Sequence, residues 1–150
     1  MKGNLNESKL ALEESELVVN EDGSIFHLHL LPHQIADTVL IVGDQGRVKQ
    51  ISQHFSEIEH VVENREFVTH TGIYKGKRIS ALSTGIGADN IDIVLNELDA
   101  LVNIDLKTRK IKPNPISLTI IRIGTSGALQ PDIPVDSYVV SEYGLGFDVH

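Results

Sequence analysis

The sequence contains no cysteine. This excludes disulfides, thiolate metal sites and thiol catalysis, but it leaves the redox compartment open, because a cysteine-free chain fits either side of a membrane. Positive charge is also in deficit: 13 Lys and Arg face 21 Asp and Glu, a formal net charge of -8. Such a field repels phosphate backbones and anionic lipid, so neither nucleic acid nor a membrane surface is the expected partner. Any anion must be held locally. Residues 1–16 are polar and acidic rather than basic and then apolar, which does not fit a signal peptide or a transmembrane helix and makes the cytoplasm the default expectation. There is no internal repeat and no low-complexity tract.

With 150 residues the chain is long enough to bury a core without metal or disulfide staples. Residues 1–20 show little sustained pattern and read as a flexible arm, with at most a helical turn around Leu10 to Leu12. Residues 21–150 then read as part of one domain. Residues 24–30, ending before Pro32, suggest a short extended segment. Thr38-Val39-Leu40-Ile41-Val42 is a β-branched run stopped by Gly43-Asp44, the pattern of a strand buried on both faces. Val48, Ile51 and Phe55 then recur at helical spacing.

Two β-rich runs, residues 66–74 and 78–83, flank Lys75-Gly76-Lys77 and predict a hairpin. Beyond Gly85-Ile86-Gly87 a helix is expected, with Ile91, Val94, Leu95, Leu98 and Val102 on one stripe and Asp89 as its N-cap. Residues 103–115, rich in Lys, Arg, Asn and Pro, read as a surface loop, and residues 117–123 and 137–141 as further strands. The alternation predicts an α/β fold with a central mixed sheet flanked by helices.

One residue breaks the apolar pattern. Arg122 closes the run Leu118-Thr119-Ile120-Ile121-Arg122-Ile123, where period two puts it on the face of Leu118 and Ile120. Its guanidinium either pairs with a buried acid or, with Gly124-Thr125-Ser126-Gly127 directly after it, takes part in an anion site at the carboxyl end of the sheet. Gly43-Asp44-Gln45-Gly46-Arg47 offers a second element: glycine lets an amide approach a ligand and Arg47 lies one helical turn on. A capped turn with a solvated arginine reads equally well there. Gly85-Ile86-Gly87-Ala88-Asp89-Asn90 begins like a dinucleotide fingerprint, but Asn90 stands where the third glycine belongs, which favours a tight turn into a helix over an α/β nucleotide binder. His27, His29 and His33 could share a strand face, yet nothing completes a metal ligand set, so no metal is expected from them.

Phe26-His27-Leu28, Val42-Gly43-Asp44 with Arg47, Arg65-Glu66-Phe67, Ser83-Thr84-Gly85-Ile86-Gly87 and the run from Arg122 to Pro131 occur in the order seen in uridine phosphorylases and related hexameric nucleoside phosphorylases. The chain resembles the N-terminal half of that family over residues 24–148. The resemblance implies reversible phosphorolysis of a ribonucleoside to free base and ribose 1-phosphate, with no cofactor beyond phosphate as co-substrate. It implies phosphate contacts from Gly43, Arg47, Arg122 and Thr125, joined by Arg65 from an adjacent subunit, with Arg122 and Thr125 at the centre of catalysis. Thr125 and His27 would touch the ribose, His27 at its 5′-hydroxyl. Phe26 and His27 would enter the neighbour's site in a homo-oligomer built from dimers, hexameric in the family.

Glu66 matches a potassium contact in some relatives, although Asn90 stands near where those relatives carry serine. Val42 replaces the usual proline, Gln45 and Gly46 replace the commoner turn residues, and residues 103–115 lengthen a loop. Family members continue well past the position of His150, and that continuation supplies the residues that read the base and hold the ribose hydroxyls. The expectation is therefore a partial site, inactive alone. The competing expectation is a non-catalytic remnant that binds phosphate or co-assembles with a relative. Nucleosidases share the architecture but attack with water, which gives them no use for clustered arginines.

Overall fold

The computed structural model describes residues 11–145. Its centre is a five-stranded mixed sheet in the order β2-β3-β4-β1-β7. The strands are β1 (Thr38–Val42), β2 (Glu57–Asn64), β3 (Phe67–Tyr74), β4 (Lys77–Ser83) and β7 (Thr119–Arg122). β1 runs parallel to both β4 and β7, while β2, β3 and β4 form an antiparallel meander. Helix α1 (Gln45–Ser52) lies against one face and α2 (Ala88–Asn103) against the other. The expected α/β class and mixed sheet are both present.

Burial follows the register. Val39 and Ile41 pair with Ser80 and Leu82 of β4, and this face packs on Val94, Leu98 and Leu101 of α2. Val42 and Ala81 face the other way, onto Val48, with Ile51 and Phe55 closing the edge. The α2 stripe is rotated from the expected one: Leu95 is exposed and Leu101 buried. Gly87 occupies the N-cap with φ 109°, so Asp89 sits in the first turn, where it still meets the positive end of the helix dipole.

Several expectations are corrected. Residues 11–20 are held in place, because Ala11 bridges to Lys110, the Leu12 amide donates to the Arg109 carbonyl at 2.8 Å, and Leu17 is buried. The remainder of the predicted arm, residues 1–10 with Leu10, lies outside the described residues. Residues 24–30 form a closed turn rather than an extended segment: the His29 amide reaches the Ile25 carbonyl at 3.0 Å and the Ile25 amide the Leu30 carbonyl at 2.9 Å. Ile25, Leu28 and Leu30 are all buried, and spacings of three and two cannot all face one core from a single strand. The turn also separates the histidines. His27 meets Glu97, His29 meets Asp22 at 2.9 Å, and the His33 ring packs edge-on against His60 at 5.4 Å between centroids.

The loop over residues 103–115 contains a small hairpin, β5 (Ile104–Asp105) and β6 (Lys110–Ile111), with Leu106 buried beneath it. β2 has no counterpart in the sequence reading; it is an edge strand whose charged residues leave it half in water. A register shift at Ile58 and His60 brings its start over Gly72, where a side chain would collide with the Glu57 carbonyl and Phe55. The strand expected over residues 137–141 does not form. Those residues are exposed and, among the described residues, no chain lies beside them to form a ladder.

Candidate functional site

The three parallel strands end side by side, each running into a glycine turn: β1 into Gly43, β4 into Thr84-Gly85, β7 into Ile123-Gly124. Backbone bonds lock the ends together, with Thr84 N donating to the Val42 carbonyl at 2.8 Å and Ile123 N to the Ile41 carbonyl at 2.9 Å. A methyl group on Gly43 would stand 3.5 Å from the Gly85 carbonyl oxygen, so the two turns are in van der Waals contact. Parallel sheets place their ligands at this carboxyl edge.

Asp44 caps α1 through a bond from the Gly46 amide, which fixes the helix start beside Gly43 and sets Arg47 in its first turn. The Gln45 side-chain amide donates to the Arg65 carbonyl at 2.8 Å. That bond ties the Gly43 turn to the β2–β3 turn, where Arg65 has φ 55° and its guanidinium stands 5.8 Å from the centroid of the Phe26 ring. Arg122 ends β7 opposite Ile41, and its guanidinium covers Gly124, where any side chain would collide with it. Thr125 follows in an exposed segment.

The five arginines divide cleanly. Arg78 donates to Glu59 at 2.6 Å and to the carbonyls of Ile35 and His33, and Arg109 lies 3.7 Å from Glu14 and donates to the Leu17 carbonyl. Among the described residues, Arg47, Arg65 and Arg122 have no carboxylate within ion-pair distance. The buried-acid alternative for Arg122 is therefore not what the fold provides. Three unpaired guanidinium groups on turns that are bonded to one another, or on strands that end together, suit an oxyanion.

His27 lies beside the β2–β3 turn, its Nδ1 2.7 Å from Glu97 Oε1 and its carbonyl accepting from Asn64 Nδ2 at 2.7 Å. Sequence reading singled out His27 but missed Glu97, Asn64 and Gln45, which hold it and Arg65 in place. Glu97 could have been found, since an acid three residues after Val94 and four after Ile93 interrupts the apolar stripe of α2. The Glu66 methylene carbons and the Asn90 side-chain amide nitrogen both lie against Gly85. Among the described residues no three His, Asp or Glu cluster as metal ligands. Among the described residues, too, no helix is long and apolar enough to cross a membrane.

An apolar cavity of about 380 Å³ opens on the α1 face, lined by Leu40, Arg47, Ile51, Phe55, Tyr74 and Ile123 among others. At the end of α1, Ser52 Oγ lies 2.7 Å from His70 Nδ1 on β3. Burial holds the His70 imidazole below the usual histidine range; Lys49 pushes the same way and Glu63 opposes.

Comparison with known proteins finds relatives over most of this chain. Residues 37–150 match the family model described as the phosphorylase superfamily. Uridine phosphorylase of Thermococcus kodakarensis is 36% identical over 122 residues, covering 81% of this chain and 39% of the relative. A DeoD-type purine nucleoside phosphorylase of Thermoanaerobacter sp. is 37% identical over 116 residues, covering 77% of this chain and 44% of the relative. The crystal structure of a Trypanosoma brucei nucleoside phosphorylase with uridine phosphorylase activity superposes with a TM-score of 0.73 at 36% identity, over 79% of this chain and 41% of that one. The chain spans about two fifths of the length of these relatives. A sheet edge with three unpaired arginines, a family match over most of the sequence and nucleoside phosphorylases as structural neighbours lead to one assignment: the chain belongs to the phosphorylase superfamily.

Proposed function

We propose that this chain supplies the phosphate-binding and sugar-orienting part of a nucleoside phosphorylase site, of the uridine phosphorylase kind. The observation that carries the reading is the division of the arginines, with the three unpaired ones at the positions where the resemblance implies phosphate contacts. Phosphate would be gripped by Arg47, Arg65 and Arg122, by the Gly43 turn and by Thr125. A phosphate oxygen then attacks C1′ as the bond from C1′ to the base nitrogen breaks, and the base departs with the bonding pair. The transition state has oxocarbenium character, so a fixed phosphate acts both as nucleophile and as a counter-charge beneath the sugar.

Thr125 orients the ribose from the subunit whose Arg47 and Arg122 hold the phosphate. Phe26, His27 and Arg65 enter that site from a neighbouring subunit in a homo-oligomer of the cytoplasm, His27 at the ribose and Arg65 at the phosphate. No cofactor is needed for this chemistry. Base recognition falls to the part of the family domain beyond the span matched here, so the isolated chain binds phosphate weakly and does not turn over nucleoside. A second reading is a non-catalytic, phosphate-binding member of the family that co-assembles with a relative. Phosphate titration followed by ³¹P NMR tests the shared premise: binding that saturates and disappears in Arg122→Ala supports it, and identical behaviour of the two proteins refutes it. Turnover of uridine with phosphate by a form carrying the rest of the domain separates the two readings.

A further inference from the structure

Glu97 makes an unusual set of contacts for a helix carboxylate. Its side chain is only 12% exposed, and it accepts from three donors of one turn. Oε1 takes the His27 amide at 2.9 Å and His27 Nδ1 at 2.7 Å; Oε2 takes the Leu28 amide at 2.8 Å and the His27 amide again at 3.1 Å. On the other side Asn64 Nδ2 donates to the His27 carbonyl at 2.7 Å. Two backbone amides alone would suffice to pin the turn. The bond to the ring does something further, because a carboxylate only accepts and so requires the proton to be on Nδ1. In the neutral ring Nε2 is then bare, and no described residue bonds to it.

We propose that Glu97 is a positioning residue that fixes His27 as its Nδ1–H tautomer and presents Nε2 as an acceptor for a ligand hydroxyl. The identity of that hydroxyl, a ribose hydroxyl, rests on the function proposed above; the clamp rests only on the contacts. A histidine of the opposite tautomer would offer an N–H there and read an acceptor instead. Asn64 adjoins Arg65, so the same small platform carries the ring and a phosphate-seeking guanidinium. A ligand with a sugar hydroxyl and a phosphate suits such a pair.

The isosteric variant Glu97→Gln gives a sharp test. Its single carbonyl oxygen is claimed by the two backbone amides, which leaves its NH₂ facing Nδ1, and an NH₂ can donate only to a bare nitrogen. The ring proton should therefore move to Nε2 with the space unchanged. Long-range ¹H–¹⁵N NMR of histidine-labelled protein in mildly alkaline buffer, with the His27 signal identified by its loss in His27→Asn, reads which nitrogen carries the proton. The expected result is Nδ1–H in the wild type and Nε2–H in Glu97→Gln; Glu97→Ala should shift the same way. Nε2–H in the wild type, or Nδ1–H persisting in both variants, overturns the proposal. Ribose 1-phosphate is then added to the wild type. A shift at His27 Nε2 supports the sugar assignment, and its absence beside a correct tautomer counts against the nucleoside reading alone.

Discussion

An arginine that contributes to folding is recognised by its partners, and Arg78, bonded to Glu59 and two carbonyls, is of that kind. Arg122 is not. It is exposed at the end of an edge strand and makes no ion pair among the described residues, so Arg122→Ala should change stability by no more than about 0.5 kcal/mol. Phosphate binding should nonetheless be lost, and a form carrying the rest of the domain should slow by on the order of a hundredfold or more. Arg122→Lys should be impaired too, because a point charge does not reproduce a planar fork. Urea unfolding beside phosphate titration checks the dissociation, and loss of stability in step with binding would return Arg122 to a structural role.

His70 is the opposite case, a buried group with a folding consequence. Its Nδ1 meets Ser52 and its Nε2 has no partner among the described residues, and burial keeps it neutral with a lowered pKa. When the folded pKa lies below the unfolded one, the unfolded chain takes up the proton first. Stability from this group is therefore full above the ordinary histidine value of 6.5 and falls as pH drops from there towards the folded pKa. Urea midpoints between neutral pH and pH 5 should fall less steeply in His70→Gln than in the wild type, and parallel slopes would exclude the linkage. Arg122 was legible in sequence because a charge on an apolar strand face breaks period two. His70 was not, since a histidine among threonines looks solvated until the partner elements are placed.

At the scale of elements, the segments that read correctly are those whose own pattern meets two-sided or one-sided burial. β1 is apolar from Val39 to Val42 because α1 and α2 cover its two faces, and the β3–β4 hairpin announces its turn at Lys75-Gly76-Lys77. β2 was missed because an edge strand of alternating acids satisfies half its residues with water and leaves no apolar run. The strand expected over residues 137–141 fails for the converse reason: β-propensity makes a strand only where a neighbour completes the ladder. α2 holds the larger core, and Leu98, fully buried against Val94, Leu101 and the β1–β4 face, is its centre. Leu98→Ala should cost about 3 kcal/mol through lost transfer energy and an unfilled cavity. Leu95→Ala, on the exposed side of the same helix, should cost under about 1 kcal/mol. Equal losses in denaturant unfolding would mean that the Leu95 face is covered in solution.

The whole molecule is lopsided in a way that bears on its behaviour. Among the described residues nothing pairs with the outer edge of β7, where Ile120, Ile121 and Ile123 are each more than a third exposed. Beyond it Leu129, Tyr138 and Val140 are almost wholly in water. An unpaired strand edge flanked by apolar side chains is a template for another strand, and the relatives carry more than half of their length outside the span matched here. The 150-residue chain should therefore associate reversibly with rising concentration, and it should form no ribose 1-phosphate from uridine or inosine with phosphate. Sedimentation velocity over a hundredfold range of concentration reads the first expectation, and product analysis of a homogeneous preparation, its intact mass verified, reads the second. A strictly monomeric species would show that the edge is protected by the chain itself. Sustained phosphorolysis that tracks the chain through purification and vanishes in Arg122→Ala would show that phosphate and sugar contacts suffice without the rest of the domain, which would overturn the division of labour proposed for the site.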